Sequence, residues 1–73
     1  MQLPMSLMKD GASAIIENLA LSRDIMLKMF DLGIRPGVQF RVLLSNSDFV
    51  IKLGQTKIAI DRALCRKIIV SIA

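Results

Sequence analysis

The stretch Ile25-Met26-Leu27-Lys28-Met29-Phe30-Asp31-Leu32-Gly33-Ile34-Arg35-Pro36-Gly37-Val38-Gln39-Phe40 decides how this chain folds, because its hydrophobic period changes partway along. Over residues 23 to 32, Ile25, Met26, Met29, Phe30 and Leu32 recur at helical spacing and form one broad apolar face, with Asp24, Lys28 and Asp31 opposite. Leu27 falls outside that face, either at a core edge or exposed. Ser22 can cap the helix by accepting from an unpaired amide, and Asp24 adds negative charge to the first turn. Gly33 stands where a helix end needs a left-handed residue, with Ile34 supplying the apolar contact that accompanies such a cap. Arg35-Pro36-Gly37-Val38 then fits a type II turn, Pro fixing the first central residue and Gly allowing positive φ at the second. Beyond it the period is two: Val38, Phe40, Val42 and Leu44 on one side, Gln39 and Arg41 on the other.

Turn and strand signals continue in both directions. Upstream, Lys9-Asp10-Gly11 is turn-prone, and Ser13 to Leu19 suits a first strand that ends near Glu17-Asn18. Downstream, Ser45-Asn46-Ser47-Asp48 turns the chain into a strand from Phe49 to Leu53, and Gly54-Gln55-Thr56 turns it back into another from Lys57 to Ile60. Asp61 can cap a single helical turn through Cys65, after which Ile68 to Ile72 makes the last strand. The expected fold is mainly β: a small SH3-like barrel of about five antiparallel strands, with one α-helix after the first strand and a short helical turn before the last. Residues 1–73 are expected to form a single domain with one core shared by Ile25, Met29, Phe30, Val38, Phe40, Val42, Ile58, Ile60 and Ile68.

Composition narrows the chemistry. The 73 residues are 53% hydrophobic with mean hydropathy +0.55, too apolar for intrinsic disorder. Apolar runs such as Ile68-Ile69-Val70 are too short to span a bilayer, and Met1 to Lys9 lacks the pattern of a secretory leader, so a cytoplasmic location is expected. The net charge of +4 is unevenly placed. Up to residue 51, Lys9, Arg23, Lys28, Arg35 and Arg41 are balanced by Asp10, Glu17, Asp24, Asp31 and Asp48. From residue 52 onward, Lys52, Lys57, Arg62, Arg66 and Lys67 meet only Asp61. That basic segment is either a solvated rim or a docking surface for an acidic partner or headgroups.

Catalytic and metal chemistry find few residues to work with. There is no histidine and one cysteine, so an activated nucleophile or the common metal-ligand sets have little to draw on; no enzyme, cofactor or metal site is expected. Asp24 and Asp31 are the best carboxylate pair, but Lys28 lies between them, and a solvated helix face explains all three. Met26 and Met29 sit on the apolar helix face, where core packing accounts for them. Gly11, Gly33, Gly37 and Gly54 stand singly in turns and form no phosphate-binding loop. A small basic barrel also raises nucleic acid, but base recognition of this kind stacks bases on aromatic residues, and only Phe30, Phe40 and Phe49 are present. Nucleic-acid binding is thus the alternative rather than the expectation.

The helix, Leu32-Gly33-Ile34-Arg35-Pro36-Gly37 and the strand after it resemble the FeoA family, small cytosolic proteins of bacterial ferrous iron uptake. Leu53-Gly54-Gln55-Thr56-Lys57-Ile58-Ala59-Ile60, with Ala63-Leu64-Cys65 and Ile68, is similar to that family's glycine turn, apolar strand and last helical turn. The opening Leu3, Leu7 or Met8, and Gly11 match its N-terminal strand and turn. Two positions depart from the pattern. Asp48-Phe49 stands where Asp-Pro is frequent, which leaves Phe49 a candidate exposed residue; Cys65 replaces a small residue, usually Ala, which favours a buried structural role. The resemblance implies a non-catalytic partner of a membrane GTPase-coupled ferrous iron transporter of FeoB type, touching the membrane only through that partner. Candidate contacts are Leu27, Arg35, Phe49, Lys57, Arg62 and Arg66, with Arg62 and Arg66 expected to project together from one helical turn. A stand-alone SH3-like module related to the C-terminal domains of metal-dependent repressors shares the pattern, though there it normally follows a helix-turn-helix domain.

Overall fold

The helix and the turn after it form by the local chemistry that their residues supply. In the computed structural model, which describes residues 1–72, α1 (Arg23–Asp31) begins at Ser22, whose Oγ accepts from the amide of Ile25 at 3.4 Å. It ends in a Schellman motif: Gly33 has φ +95° and donates to the carbonyl of Phe30, and Ile34 donates to that of Met29, both at 2.9 Å. Ile34 is fully buried, as the apolar contact of that motif requires. Gly37 at φ +90°, with the amide of Val38 on the carbonyl of Arg35, completes the expected type II turn. The Arg35 side chain adds a tie, its Nε donating to the carbonyl of Phe30 at 2.9 Å.

From that turn the chain enters a six-stranded antiparallel sheet of β1 (Gln2–Pro4), β2 (Ser13–Leu19), β3 (Gln39–Ser45), β4 (Phe49–Leu53), β5 (Thr56–Ile60) and β6 (Ile68–Ser71). Their spatial order is β1-β6-β2-β3-β4-β5. A short helix α2 (Arg62–Cys65) precedes β6, and a 3-10 turn at Met5–Leu7 follows β1. The mainly β, SH3-like arrangement is thus the expected one with a strand added. β1 escaped the count because three residues ending in Pro4 show no alternation; Pro is tolerated there because β1 lies at a sheet edge. β2 runs through to Leu19 because a bulge accommodates the extra residue between Ile16 and Asn18 against β6.

The core fills from the strands' inward residues: Ala14, Ile16 and Leu19, Phe40 and Val42, Phe49 and Ile51, Ile58 and Ile60, Ile68 and Val70. Met5 and Met8 are buried with them, the unbranched thioethers filling space beside the 3-10 turn. Met29 is buried, while Ile25, Met26 and Phe30 are half-buried and pack on the core from α1. Three expectations change. Val38 is half-buried at the turn. Leu32 is exposed because it is the helix C-cap, past the last turn that faces the sheet. Leu44, expected to face inward with Phe40 and Val42, is 52% exposed, because a second bulge between Val42 and Leu44 returns it to the outer face.

Phe40 is 3% exposed at the centre of this cluster, so Phe40→Ala should cost about 3–5 kcal/mol through lost transfer energy and the cavity left behind. That is comparable to the whole stability of so small a domain. Urea denaturation should show loss of the cooperative transition; a variant destabilised by less than about 1 kcal/mol would mean that Phe40 does not face the core.

Candidate docking surface

The basic C-terminal segment divides into three parts once folded. Asp61 caps α2, its Oδ1 accepting from the amide of Ala63 at 2.8 Å, and this fixes Arg62 as the first helical residue. From there Arg62 turns back over the sheet. Its guanidinium lies 5.6 Å from the centre of the Phe49 ring and donates to the carbonyls of Ser45 and Asn46 in the β3–β4 turn. Ser45 in turn donates through Oγ to Asp10 Oδ1 at 2.5 Å. Asp48 and Asp61 line the same open cavity of about 380 Å³ as Phe49 and Arg62, while the hydrogen bonds of the Arg62 guanidinium go to the two carbonyls. Arg62 and Arg66 therefore do not project together as a matched pair: Arg62 is half-buried and clamps a turn, and Arg66 at the C-cap of α2 is exposed.

Phe49, a candidate surface contact, is 2% exposed. It pairs with Ser45 and Ile60 across the sheet, its ring packs into the core, and Arg62 covers the side nearest solvent. The other candidates remain at the surface. Leu27 is 47% exposed on the outer side of α1 beside Asp24, Lys28 and Asp31, which are exposed as well. Arg35, Lys57 and Arg66 are exposed, and Arg35 also caps α1. These residues lie on separate elements, α1, the α1–β3 turn, β5 and α2, and not on one continuous strip.

One basic residue outside the C-terminal segment joins it in space. Cross-strand register places Arg41 opposite Lys52, and Lys52 opposite Lys57, on the outer face of β3, β4 and β5. The outward position of Arg41 was legible from alternation, but its neighbours depend on pairing between distant parts of the chain.

Cys65 is fully buried against the core, and that burial pushes its thiol up to about 11, partly opposed by the nearby Arg62 charge. The neutral thiol is therefore the form present at ordinary pH, and neither a nucleophile nor a soft metal ligand is presented there. Among the described residues no group of three His, Cys, Asp or Glu side chains is placed to hold a metal ion. Nor is any helix among them long and apolar enough to cross a membrane.

Fold and surface together define a small SH3-like β module whose surface charge is mixed, with a net cationic excess. The FeoA domain model matches residues 3–72, and the chain belongs to the FeoA family. A crystal structure of an iron uptake regulatory protein, FeoA, is similar with a TM-score of 0.91 and 27% identity over 100% of both chains. The solution structure of iron(II) transport protein A from Clostridium thermocellum matches with a TM-score of 0.87 and 22% identity, over 97% of this chain and 46% of that one. IdeR of T. acidophilum has the same fold over 34% of its own chain, with a TM-score of 0.90, 15% identity and 99% of this chain covered. These last two likenesses establish fold alone. No curated protein matches the chain.

The clamp assigned to Arg62 is open to mutation. Arg62→Ala removes charge-assisted bonds to two carbonyls and uncovers Phe49, and should destabilise by about 1.5–3 kcal/mol. Arg66→Ala should stay within about 0.5 kcal/mol of the native protein. Thermal denaturation of the two variants side by side checks this; equal stabilities would show that Arg62 is an ordinary surface charge.

Proposed function

We propose that this protein is a non-catalytic accessory of bacterial ferrous iron uptake, residues 1–73 acting as one cytosolic domain that docks on the cytosolic part of a FeoB-type, GTPase-coupled ferrous iron transporter. The family match across residues 3–72 carries this reading, supported by the full-length likeness to an iron uptake regulatory protein. A binding role also suits the chemistry of the chain: its one thiol is buried and held neutral, whereas its surface carries charged groups of both signs with a cationic excess and a few exposed apolar side chains.

Docking would use what the fold leaves at the surface. Arg66 and Lys67 extend into solvent beyond α2, where they can steer the domain toward an acidic surface, with Arg35 and Lys57 as further cationic contacts. Leu27 is the one large apolar side chain exposed within α1 and would add desolvated area at contact. Phe49 is withdrawn from this set by its burial, and Arg62 contributes by shaping the β3–β4 turn.

Tagged protein incubated with membranes of the source cell should recover a polytopic GTPase. Reversing Arg66 and Lys67 to Glu should slow association about tenfold or more at low salt while the circular dichroism spectrum is unchanged. Salt should weaken the wild-type complex in the same sense, since exposed charges are screened over about 8 Å at physiological ionic strength. Little salt dependence with a large loss on Leu27→Ala would shift the dock to the apolar side of α1. Recovery of RNA without any membrane GTPase would overturn the proposal.

A further inference from the structure

Three cations occupy consecutive paired positions across three strands: Arg41 on β3, Lys52 on β4 and Lys57 on β5. Neighbouring strands lie about 4.8 Å apart, so the row runs about 10 Å across the outer face. Ser13 continues it on β2 opposite Arg41, and an open groove of about 290 Å³ follows it, lined by Ser13, Gln39, Phe40, Arg41, Lys52 and Gly54. None of these residues is acidic. Like charges placed directly opposite one another in a sheet destabilise it, so folding stability does not account for the row. Lysine on an edge strand can block unwanted pairing, which covers Lys57 on β5 but not Arg41 and Lys52, which lie on paired inner strands.

A second row runs beside the first. Leu44, Val50 and Ala59 are paired across the same three strands and point to the same outer face, two positions along β4 from Lys52 and therefore about 7 Å away. Leu44 is 52% exposed there only because the bulge turns it outward. The outer face of β3, β4 and β5 thus carries a line of cations alongside a line of aliphatic side chains, with no carboxylate in either.

We propose that this face binds an anionic lipid bilayer, Arg41, Lys52 and Lys57 engaging headgroup phosphates while Leu44 and Val50 rest on the acyl boundary. Long basic stems can reach phosphates while their methylenes stay on apolar surface, and an anionic leaflet relieves the repulsion that the row builds in. A single-stranded nucleic acid fits less well, because stacking needs aromatic side chains, and Phe40 and Phe49 are buried while Phe30 lies on α1. The transporter is not needed for this contact, so it can succeed or fail independently of the docking reading above.

The test uses the full chain with vesicles of equal parts phosphatidylglycerol and phosphatidylcholine, and with phosphatidylcholine alone, at low ionic strength. Wild type should co-sediment with the anionic vesicles only. Replacing Arg41, Lys52 and Lys57 by Gln should weaken this at least tenfold and leave the fold at least as stable, since the opposed charges are removed. The chain has no Trp or Tyr, so a Leu44→Trp variant carries the sole strong fluorophore. Its emission should shift to the blue on anionic vesicles, and that of Leu27→Trp on α1 should not. Failure of wild type to sediment, equal binding by the triple variant, or a shift at position 27 in place of 44 would overturn the proposal. So would capture by an RNA oligonucleotide without vesicle binding, which would give the row to nucleic acid.

Discussion

Strand β3 must place Phe40 and Val42 in the core and still deliver Ser45 to the turn where Arg62 can reach its carbonyl. The bulge between Val42 and Leu44 reconciles these demands by giving β3 one residue more than β4. Before the bulge, Arg41 faces out opposite Lys52; after it, Leu44 faces out opposite Val50, and Ser45 lies opposite the buried Phe49. In a strand without it, Leu44 would enter the core and Ser45 would turn to solvent, since a shift of one residue exchanges the two faces of a strand. The core, the Arg62 clamp and the outer face all follow from this one irregularity.

The basic charge of the C-terminal segment consequently does three different things. Arg62 is consumed within the fold, where it satisfies two turn carbonyls and covers an aromatic ring. Arg66 and Lys67 stay free beyond α2, while Lys52 and Lys57 line up with Arg41 on the sheet. A surplus counted along the sequence therefore differs from the surplus a partner meets. Arg41 belongs to the half of the chain that is electrically balanced, yet it lies in a row with Lys52 and Lys57, while Arg62 belongs to the basic half and is held by two turn carbonyls.

What was legible in the sequence is what depends on neighbours along the chain. The Ser22 cap, the Gly33 helix end, the Pro36-Gly37 turn and the Asp61 cap each involve residues within a few positions, and the structure contains all four. The SH3-like class followed from the succession of short strands and turns around one helix, and the FeoA family was a resemblance of the motifs at residues 25–40 and 53–68, which the family model over residues 3–72 shows. What was not legible depends on pairing between distant strands. β1 is too short to carry a pattern, and bulges in β2 and β3 break the alternation on which strand faces were assigned. Phe49 was a candidate for the surface because the turn before it lacks a proline, and it is buried because the strand register puts it on the core side of β4 with Ile51, where an arginine thirteen residues later also lies over its ring. Leu27 was open between edge and exposure, a matter of how α1 lies on the sheet, which no local pattern specifies.

The register of β3 on β4 is the point from which the buried Phe49, the Arg62 clamp and the cationic row are all derived, and nuclear magnetic resonance of the free protein reads it directly. The bulged pairing requires cross-strand Overhauser contacts from Leu44 to Val50 and from Ser45 to Phe49, with Arg41 opposite Lys52. Contacts from Leu43 to Val50 and from Leu44 to Phe49 would instead mean a regular strand with Leu44 turned inward, and would contradict the architecture of the surface described here.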